Sequence, residues 1–213
     1  WARLAAAAEG GGAPLDAAAR ERVESYLRAV AEKNAITNLT ADDSWEDLVL
    51  KHAADGVFAA SAIKTALGRE HVRVCDLGSG GGFIGVCLKI AWPQAEVTLV
   101  EAVERKFKFL NAESARLGLP GLRVLQRRAG DGRPYNSYES GFDCVVERAL
   151  APLDEALELA RPLLKKHGLF AAFQSVPAEP ALAGAKMRLL ESQAYRRPGE
   201  DKDRYLVMYR AED

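Results

Sequence analysis

The stretch from Val72 to Gly85 constrains the fold more than any other part of the chain. It begins with an apolar run that contains Asp76, continues through glycines at positions 78, 80, 81, 82 and 85, and leads into an apolar helical pattern. Glycine is needed where the backbone must adopt a positive φ, or where a ligand must approach it without a Cβ in the way. The pattern therefore predicts a strand, a tight turn and a helix, the opening unit of a nucleotide-binding α/β domain.

The glycine loop fits two ligand signatures. Residues 80–85 match the G-x-G-x-x-G pattern of dinucleotide-binding proteins, and residues 76–82 match the D-x-G-x-G-x-G loop of S-adenosylmethionine (SAM) methyltransferases. Asp76 favours SAM, because SAM carries a cationic amino group and a sulfonium, whereas a carboxylate would repel a pyrophosphate. Glu101 lies about twenty residues past the loop, where the ribose of either ligand needs an acceptor. We therefore expect SAM as the cofactor, with a dinucleotide as the alternative.

Apolar runs and helical patterns alternate along the chain from residue 72. Strands are predicted at about 72–76, 96–100, 122–126, 142–146, 168–173, 191–197 and 204–209, and helices at about 82–91, 103–117, 153–164 and 179–190. Such alternation predicts an α/β fold with a doubly wound, mostly parallel sheet of seven strands, Rossmann-like as in class I SAM methyltransferases. No helix separates the last two strands, so we expect them to pair as a hairpin.

Two helices are predicted before the first strand. Apolar residues recur at helical spacing over 15–33, and the sequence Ser-Trp-Glu-Asp at 44–47 is a possible capping box for a helix that continues to about residue 66. Residues 1–14 are rich in Ala and Gly and are expected to be mobile or weakly helical. We expect an N-terminal helical extension over 1–66 and a SAM-binding domain over 67–213, in one compact unit.

Composition narrows the classes of function. The 213 residues are 48% hydrophobic and carry a formal net charge of −1, so any attraction to RNA must come from local patches. The three cysteines and three histidines show no metal-ligand spacing, so we expect no metal and a reducing cytoplasm. No apolar run is long enough to span a membrane. We expect a monomer.

Five segments between about residues 34 and 175 follow the pattern of one family. They are N-L-T-A at 38–41, K-H-A-A-D at 51–55, the glycine loop at 76–85, Glu101 with R-K at 105–106 and F-L at 109–110, and F-D-C-V-V-E-R-A at 142–149. In this order they resemble the bacterial 16S ribosomal RNA guanine-N7 methyltransferase family RsmG, also called glucose-inhibited division protein B. The resemblance implies a SAM-dependent enzyme that acts on 16S ribosomal RNA or on the small ribosomal subunit.

The resemblance also implies roles for single residues. Glu101 would accept the ribose hydroxyls of SAM, and Ala129 would offer a backbone N–H to its adenine, with Asp131 as an acceptor for the exocyclic amine. Arg148 would act beside SAM or the target base, and His52 would be a second catalytic residue, oriented by Asp55. The complete set of expected cofactor-binding residues is Asp76, Gly78, Ser79, Gly80, Gly82, Phe83, Glu101, Ala129 and Arg148.

Basic side chains provide the candidate phosphate contacts, because a guanidinium can donate two hydrogen bonds to one phosphate. These candidates are Lys106, Arg123, Arg127, Arg128, Arg196 and Arg197, with Lys202 and Arg204 nearby. Guanine N7 carries a lone pair and no proton, so it can attack the methyl group of SAM without a general base. Catalysis would then consist mainly of positioning.

Several positions depart from the family pattern. Ile84 replaces a proline, Glu147 replaces a serine, Gly130 stands where the family has an acid, and Gln174 and Ser175 replace a lysine and a glycine. Glu147 and Gln174 make the expected RNA face less positive. Two other functions therefore stay open, a SAM-dependent methyltransferase of a small metabolite and a non-enzymatic dinucleotide-binding module.

Overall fold

A computed structural model of the chain describes residues 15–42, 44–178, 186–197 and 199–212. The expectation for residues 1–14 therefore lies outside the described residues. The helices in the described part are α1 (Ala17–Thr37), α2 (Trp45–Asp47), α3 (Ala54–Leu67), α4 (Phe83–Ala91), α5 (Glu104–Leu117) and α6 (Leu153–Ala160). A π-helical segment, Leu48–Ala53, joins α2 to α3, and a short 3₁₀ turn, Arg161–Leu163, follows α6.

Seven strands form one sheet. They are β1 (Arg73–Leu77), β2 (Glu96–Glu101), β3 (Leu122–Gln126), β4 (Phe142–Arg148), β5 (Leu164–Gln174), β6 (Met187–Tyr195) and β7 (Arg204–Ala211), in the spatial order β3-β2-β1-β4-β5-β7-β6. The first five are parallel, and β7 runs antiparallel to both of its neighbours. The predictions of a mostly parallel sheet and of a terminal hairpin are confirmed.

The strand order reverses at β1, which lies between β2 and β4. Ligands of open α/β sheets bind in the crevice outside the carboxyl ends of the strands at such a reversal, because the loops diverge there to opposite faces. The glycine loop follows β1 directly, so the fold places it at this crevice.

Local signals account for the start of the N-terminal helices. The carboxylate of Asp16 accepts a hydrogen bond from the N–H of Ala19 at 2.7 Å, and Ser44 Oγ accepts one from the N–H of Asp47 at 3.0 Å. Both satisfy a donor that the first turn of a helix leaves free. The π-helical segment that follows has no signal in the sequence. Such segments are uncommon and recur at functional sites, and this one carries His52.

Hydrophobic clusters cover both faces of the sheet. On one face α1, α3, α4 and α5 share a hydrophobic cluster with the strands, through buried residues such as Leu27, Ile63 and Leu88. On the other face α6 packs through Leu157 against strand residues such as Phe170. Full burial of each such side chain contributes about 1.5–3 kcal/mol. The N-terminal helices thus share one hydrophobic cluster with the sheet.

The helix predicted at about 179–190 is wrong in its second part. Residues 187–190 belong to β6, which runs from Met187 to Tyr195 and pairs with β7 along its length. Residues 179–185 lie outside the described part of the chain. Strand β6 lies at the edge of the sheet and alternates irregularly between buried and exposed residues. Its first half therefore lacks the period-two pattern that identifies a strand.

Candidate active site

A cavity of about 560 Å³ lies at the carboxyl ends of β1, β4 and β5. Its walls come from the glycine loop, the π-helical segment, the ends of β4 and β5, and the residues around the β6–β7 connection. The cavity brings together residues that the sequence assigned separately to cofactor, catalysis and RNA, namely His52, Asp76, Gly78, Ser79, Gly80, Phe83, Arg148 and Arg197.

Positive φ angles occur at three glycines of the loop, with values of 74° at Gly78, 59° at Gly80 and 90° at Gly82. A Cβ at Gly82 would lie 2.5 Å from a side-chain carbon of Leu110, so both its φ and the packing of α5 favour glycine there. A Cβ at Gly80 would have one neighbour, the carbonyl oxygen of Gly78 at 4.0 Å. Gly80 therefore faces open space, and it is where a ligand can approach the backbone most closely.

Asp76 ends the apolar core of β1 and is 2% exposed, yet it lines the cavity. Its Oδ2 accepts a hydrogen bond from the N–H of Gly85 at 2.9 Å. Burial raises the pKa of its carboxyl to about 6, although the bond from Gly85 and the charge of Arg148 act in the opposite direction. The protein thus leaves this negative charge incompletely compensated. A cationic group beside it would favour the ionised form, so the site fits the amino group and sulfonium of SAM.

Glu101 connects β2 to the glycine loop. Its Oε2 accepts a hydrogen bond from the N–H of Gly80 at 2.8 Å, and its Oε1 accepts one from the N–H of Val103 at 2.6 Å. The residue is 6% exposed and is not among those lining the cavity. On the opposite side of the loop, the buried hydroxyl of Tyr26 donates to the carbonyl of Gly81 at 2.5 Å. These bonds hold the loop from two sides.

Arg148 and His52 form a pair at the end of β4. A guanidinium nitrogen of Arg148 donates to His52 Nδ1, which must therefore be unprotonated. The ring proton is then on Nε2, which donates to Asp42 Oδ2 at 2.9 Å. Burial, and next to it the charge of Arg148, lower the pKa of His52 to about 4. His52 is therefore a neutral ring with both nitrogens engaged, and it is poorly suited to accept a proton.

Asp55 joins this pair to the β6–β7 connection. It is fully buried, and its Oδ2 accepts from Arg148 at 2.8 Å and from Arg197 at 2.6 Å. Its Oδ1 accepts from Arg197 Nε at 2.9 Å and from the Tyr195 hydroxyl at 2.7 Å. The expectation that Asp55 orients His52 is thus corrected. Asp55 orients Arg148, and Asp42 binds His52, because both ring nitrogens of His52 are bonded to groups other than Asp55.

Aromatic contacts make one wall of the cavity rigid. Phe83 stacks on His52 with ring centroids 4.1 Å apart. Tyr195 stacks on Phe58 at 4.3 Å and meets the ring of Phe173 edge-on at 6.0 Å. Such pairs add about 0.5–1.5 kcal/mol each beyond the area they bury. The side chains beside Arg148 are therefore held in place before any ligand binds.

Backbone strain occurs directly after Arg148. Ala149 has a φ of 57°, in the left-handed region that side chains with a Cβ rarely adopt. The residue lines the cavity. Strain of this kind persists only where surrounding contacts enforce it, and it concentrates at functional sites. Here it accompanies the turn that follows β4, where Leu150 N–H donates to the Glu147 carboxylate at 3.0 Å.

The loop after β3 is organised around a buried arginine. The guanidinium of Arg127 binds Glu139 at 2.8 Å and Asp131 at 3.1 Å, also donates to the carbonyl of Arg133, and is only 3% exposed. Arg127 is therefore unavailable to phosphate, which corrects the expectation. Asp131 also binds Arg133, so its carboxylate is occupied by two cations. Ala129 precedes this cluster and is not among the residues that line the cavity.

Two of the other RNA candidates, Arg197 and Arg204, line the cavity, whereas the following four lie outside its lining. Lys106 is half-buried on α5, and Arg128 is exposed after β3. Arg196 is exposed and binds Asp203 at 2.6 Å. Arg123 binds Glu96 at 2.8 Å, at the amino end of β2. The crevice lies at the carboxyl end of β2, about 16 Å further along the strand. Arg123 therefore lies at the opposite end of the sheet from the crevice.

Two departures from the family pattern have distinct locations. Glu147 is fully buried near the end of β4, so the expectation that it adds charge to an RNA face is wrong. Burial raises the pKa of its carboxyl to about 7. Gln174, at the end of β5, lines the cavity together with Ser175.

Sequence reasoning missed Asp42, Lys51 and Tyr195 as members of the site. Asp42 comes directly after the N-L-T-A segment, so proximity to a motif was an available signal. Lys51 lines the cavity and binds Asp47 at 2.8 Å. Nothing in the sequence distinguishes Tyr195 from an ordinary strand tyrosine, because its partner Asp55 is 140 residues away.

The described ranges contain neither a membrane-spanning helix nor a metal-binding cluster. No described helix is both long enough and apolar enough to cross a bilayer. No three His, Cys, Asp or Glu side chains in the described part of the chain are grouped to hold a metal ion.

Comparisons with known proteins point to one family. The family model described as GidB, rRNA small subunit methyltransferase G, matches residues 19–200. A ribosomal RNA small subunit methyltransferase G from Levilactobacillus brevis is 32% identical, with 97% of this chain and 87% of the relative covered. One from Desulfitobacterium hafniense is 35% identical, with 79% and 68% covered.

Solved structures show the same fold. A 1,6-didemethyltoxoflavin-N1-methyltransferase from Burkholderia thailandensis, crystallised with S-adenosylhomocysteine, superposes with a TM-score of 0.59 at 19% identity, over 94% of this chain and 93% of that one. TrmN from Thermus thermophilus gives a TM-score of 0.52 at 19% identity, over 73% and 48%. By the extent of the family match, this chain belongs to the rRNA small subunit methyltransferase G family.

Proposed function

We propose that this chain transfers the methyl group of SAM to N7 of a guanine in small-subunit ribosomal RNA. The observation that carries the proposal is the meeting, in one cavity, of the Asp76 glycine loop with the Arg148–His52 pair. Membership of the family supports the class of reaction. The fold supports the cofactor, because the cavity lies at the reversal of strand order.

Asp76 and the glycine loop would hold the cofactor. SAM supplies a methyl group on a positively charged sulfur, which makes that carbon susceptible to attack by a lone pair. The buried carboxylate of Asp76 would attract the cationic end of SAM. Because Gly80 has no Cβ, SAM could approach the backbone of the loop there. Glu101 bonds to Gly80, which lines the cavity, and would accept the ribose hydroxyls with its remaining lone pairs, since a carboxylate has about four acceptor sites and described residues occupy two.

Arg148 would contact the target base. A guanidinium has five N–H donors, and two are used on Asp55 and His52. The remaining donors can bind guanine O6, which lies beside N7 on the same edge of the base. N7 would then stay free for the methyl group. The guanine must leave its stack to reach the cavity.

His52 would be a positioning residue. N7 has no proton to remove, so the reaction needs no base, and a neutral imidazole with both nitrogens bonded cannot serve as one. Its function would be to fix the plane of the Arg148 guanidinium. Because reacting groups must be held near attack distance, such positioning accounts for a large part of the rate.

A small metabolite is the second candidate substrate. The cations on the cavity wall are paired with carboxylates, since Arg197 binds Asp55 and Arg204 binds Glu200 at 3.0 Å. A wall neutralised in this way attracts phosphate weakly. Gln174 adds no charge there.

The test is methyl transfer from labelled SAM to small ribosomal subunits isolated without this modification. Digestion of the RNA should release labelled 7-methylguanosine. Arg148→Ala should lower the transfer at least tenfold, whereas Arg28→Ala, which removes an arginine from a surface ion pair with Glu24, should leave it unchanged. Label on a small molecule, and none on guanine, would contradict the proposal.

We also propose the setting of this reaction. A ribosomal RNA substrate places the protein in the bacterial cytoplasm, with the small subunit or its RNA as the partner. We propose that the protein acts as a monomer, which sedimentation at working concentration can test.

A further inference from the structure

A second cavity, of about 540 Å³, adjoins the active-site cavity at Thr40, which lines both. It lies between the carboxyl end of α1 and the start of α5. Its polar lining comes from Asn34, Thr37, Asn38, Thr40 and Arg105. We propose that this cavity is a subsite for the nucleotide next to the target guanine in the RNA, with Arg105 on its phosphate. The inference rests on the proposed function and names a further contact of the same substrate.

The wall of the second cavity is preorganised. Asn34 Oδ1 accepts hydrogen bonds from the N–H groups of Leu39 at 2.6 Å and of Thr40 at 2.9 Å. Asn38 ends α1 in a left-handed conformation, with a φ of 49°. These contacts fix the turn that separates the two cavities. A ligand bound across it would therefore meet a rigid edge at Thr40, with little ordering cost for the protein.

Arg105 differs from the arginines of the active-site cavity in its electrostatic surroundings. Arg148 and Arg197 both bind Asp55, whereas the exposed guanidinium of Arg105 has no hydrogen bond or ion pair with any residue in the described ranges. Within the described ranges its donors are free, and its planar fork matches two oxygens of a phosphate. An anion beside the methyl-transfer cavity would therefore bind here first.

The lining also has a place for a base. Ile36 lines the second cavity and is 77% exposed, although isoleucine is among the residue types that are most often buried. The amide of Asn34 uses its oxygen on the backbone, so its nitrogen is left to donate. The apolar surface of Ile36 and the amide of Asn34 would contact the base of one nucleotide, and the guanidinium of Arg105 would contact its phosphate. RNA bases recognised in single strands make such contacts.

The test compares Arg105→Ala with Lys108→Ala. Lys108 lies one turn further along α5 and is paired with Glu104 at 2.6 Å, so its variant removes the same charge from the same helix outside the second cavity. Methyl transfer to unmodified small-subunit RNA is measured at several salt concentrations. Arg105→Ala should raise KM for RNA about tenfold with kcat nearly unchanged, and should reduce the salt slope of RNA binding by about one. Lys108→Ala should behave like the wild type.

SAM binding by calorimetry should be the same in all three proteins. If the wild type methylates the RNA and Arg105→Ala matches Lys108→Ala in KM and salt slope, the subsite is wrong and the proposed function stands. If the wild type transfers no methyl group to RNA, both are overturned.

Discussion

Glu147 gives this protein a pH dependence that can be worked out from its surroundings. The residue is fully buried, and only Oε2 has a partner in the described part of the chain, the N–H of Leu150. Burial raises the pKa of the carboxyl from its ordinary value of 4.5 to about 7. Folding therefore favours the protonated acid. The contribution of Glu147 to stability is most favourable below pH 4.5 and is lost as the pH rises through 7.

The size of the effect follows from the shift. Each pKa unit corresponds to about 1.4 kcal/mol, so the full cost of ionising Glu147 in the folded protein is about 3.4 kcal/mol. Between pH 5 and pH 8 the cost should rise by about 2.5 kcal/mol. That is a large fraction of the 5–15 kcal/mol by which domains are usually stable.

The perturbation is Glu147→Gln, which keeps the shape and an acceptor for Leu150. The free energy of unfolding is measured by urea titration for the variant and the wild type at pH 5 and at pH 8. The difference between the two proteins should shift by about 2.5 kcal/mol in favour of the variant on going to pH 8. Any constant cost of burying the amide cancels in this comparison.

Glu158→Gln is the matched control, because Glu158 is exposed on α6. It should show the pH dependence of the wild type. If the Glu147→Gln curve runs parallel to that of the wild type between pH 5 and pH 8, the carboxyl is not held in the protonated form, and the reasoning from burial is refuted.

Two further substitutions test the cavity. Asp76→Asn keeps an acceptor for the Gly85 N–H but removes the negative charge. Calorimetry should therefore show SAM binding weakened by about tenfold to a hundredfold, which is the loss expected for a hydrogen bond to a charged group. Unchanged affinity would show that Asp76 does not face the cofactor. Asp55→Asn turns an amide N–H₂ toward two guanidinium groups, and urea titration should show a loss of about 3–5 kcal/mol. A loss below 1 kcal/mol would mean that the arginines find other partners.

Much of the fold and the cofactor loop was predictable because their signals are local. The strand, loop and helix around Asp76 and the glycines are encoded by residues adjacent in sequence, and the alternation of apolar runs predicts a parallel sheet. The Ser44 cap was predictable for the same reason. The prediction failed at 187–190, in an edge strand without regular alternation.

The charged network around Arg148 could not be predicted in its detail. Arg148 is 93 residues from Asp55 and 96 from His52, and Arg197 is 142 from Asp55. Which carboxylate meets which guanidinium depends on how α3, β4 and the β6–β7 connection pack, and a one-residue change of register in β4 would turn Arg148 to the other face of the sheet. The same argument applies to Arg127. Its position next to Arg128 predicted a basic surface patch, but the fold buries its side chain.

The sequence by itself determined the order of the elements, the glycine loop with its carboxylate, and the family. The tertiary structure decided that Asp76 is buried beside the cavity, that Arg105 has no ion pair among the described residues, and that both ring nitrogens of His52 are bonded. The physical reason is that backbone propensity and hydrophobic period act over a few residues, whereas burial and charge pairing depend on groups that only folding brings together.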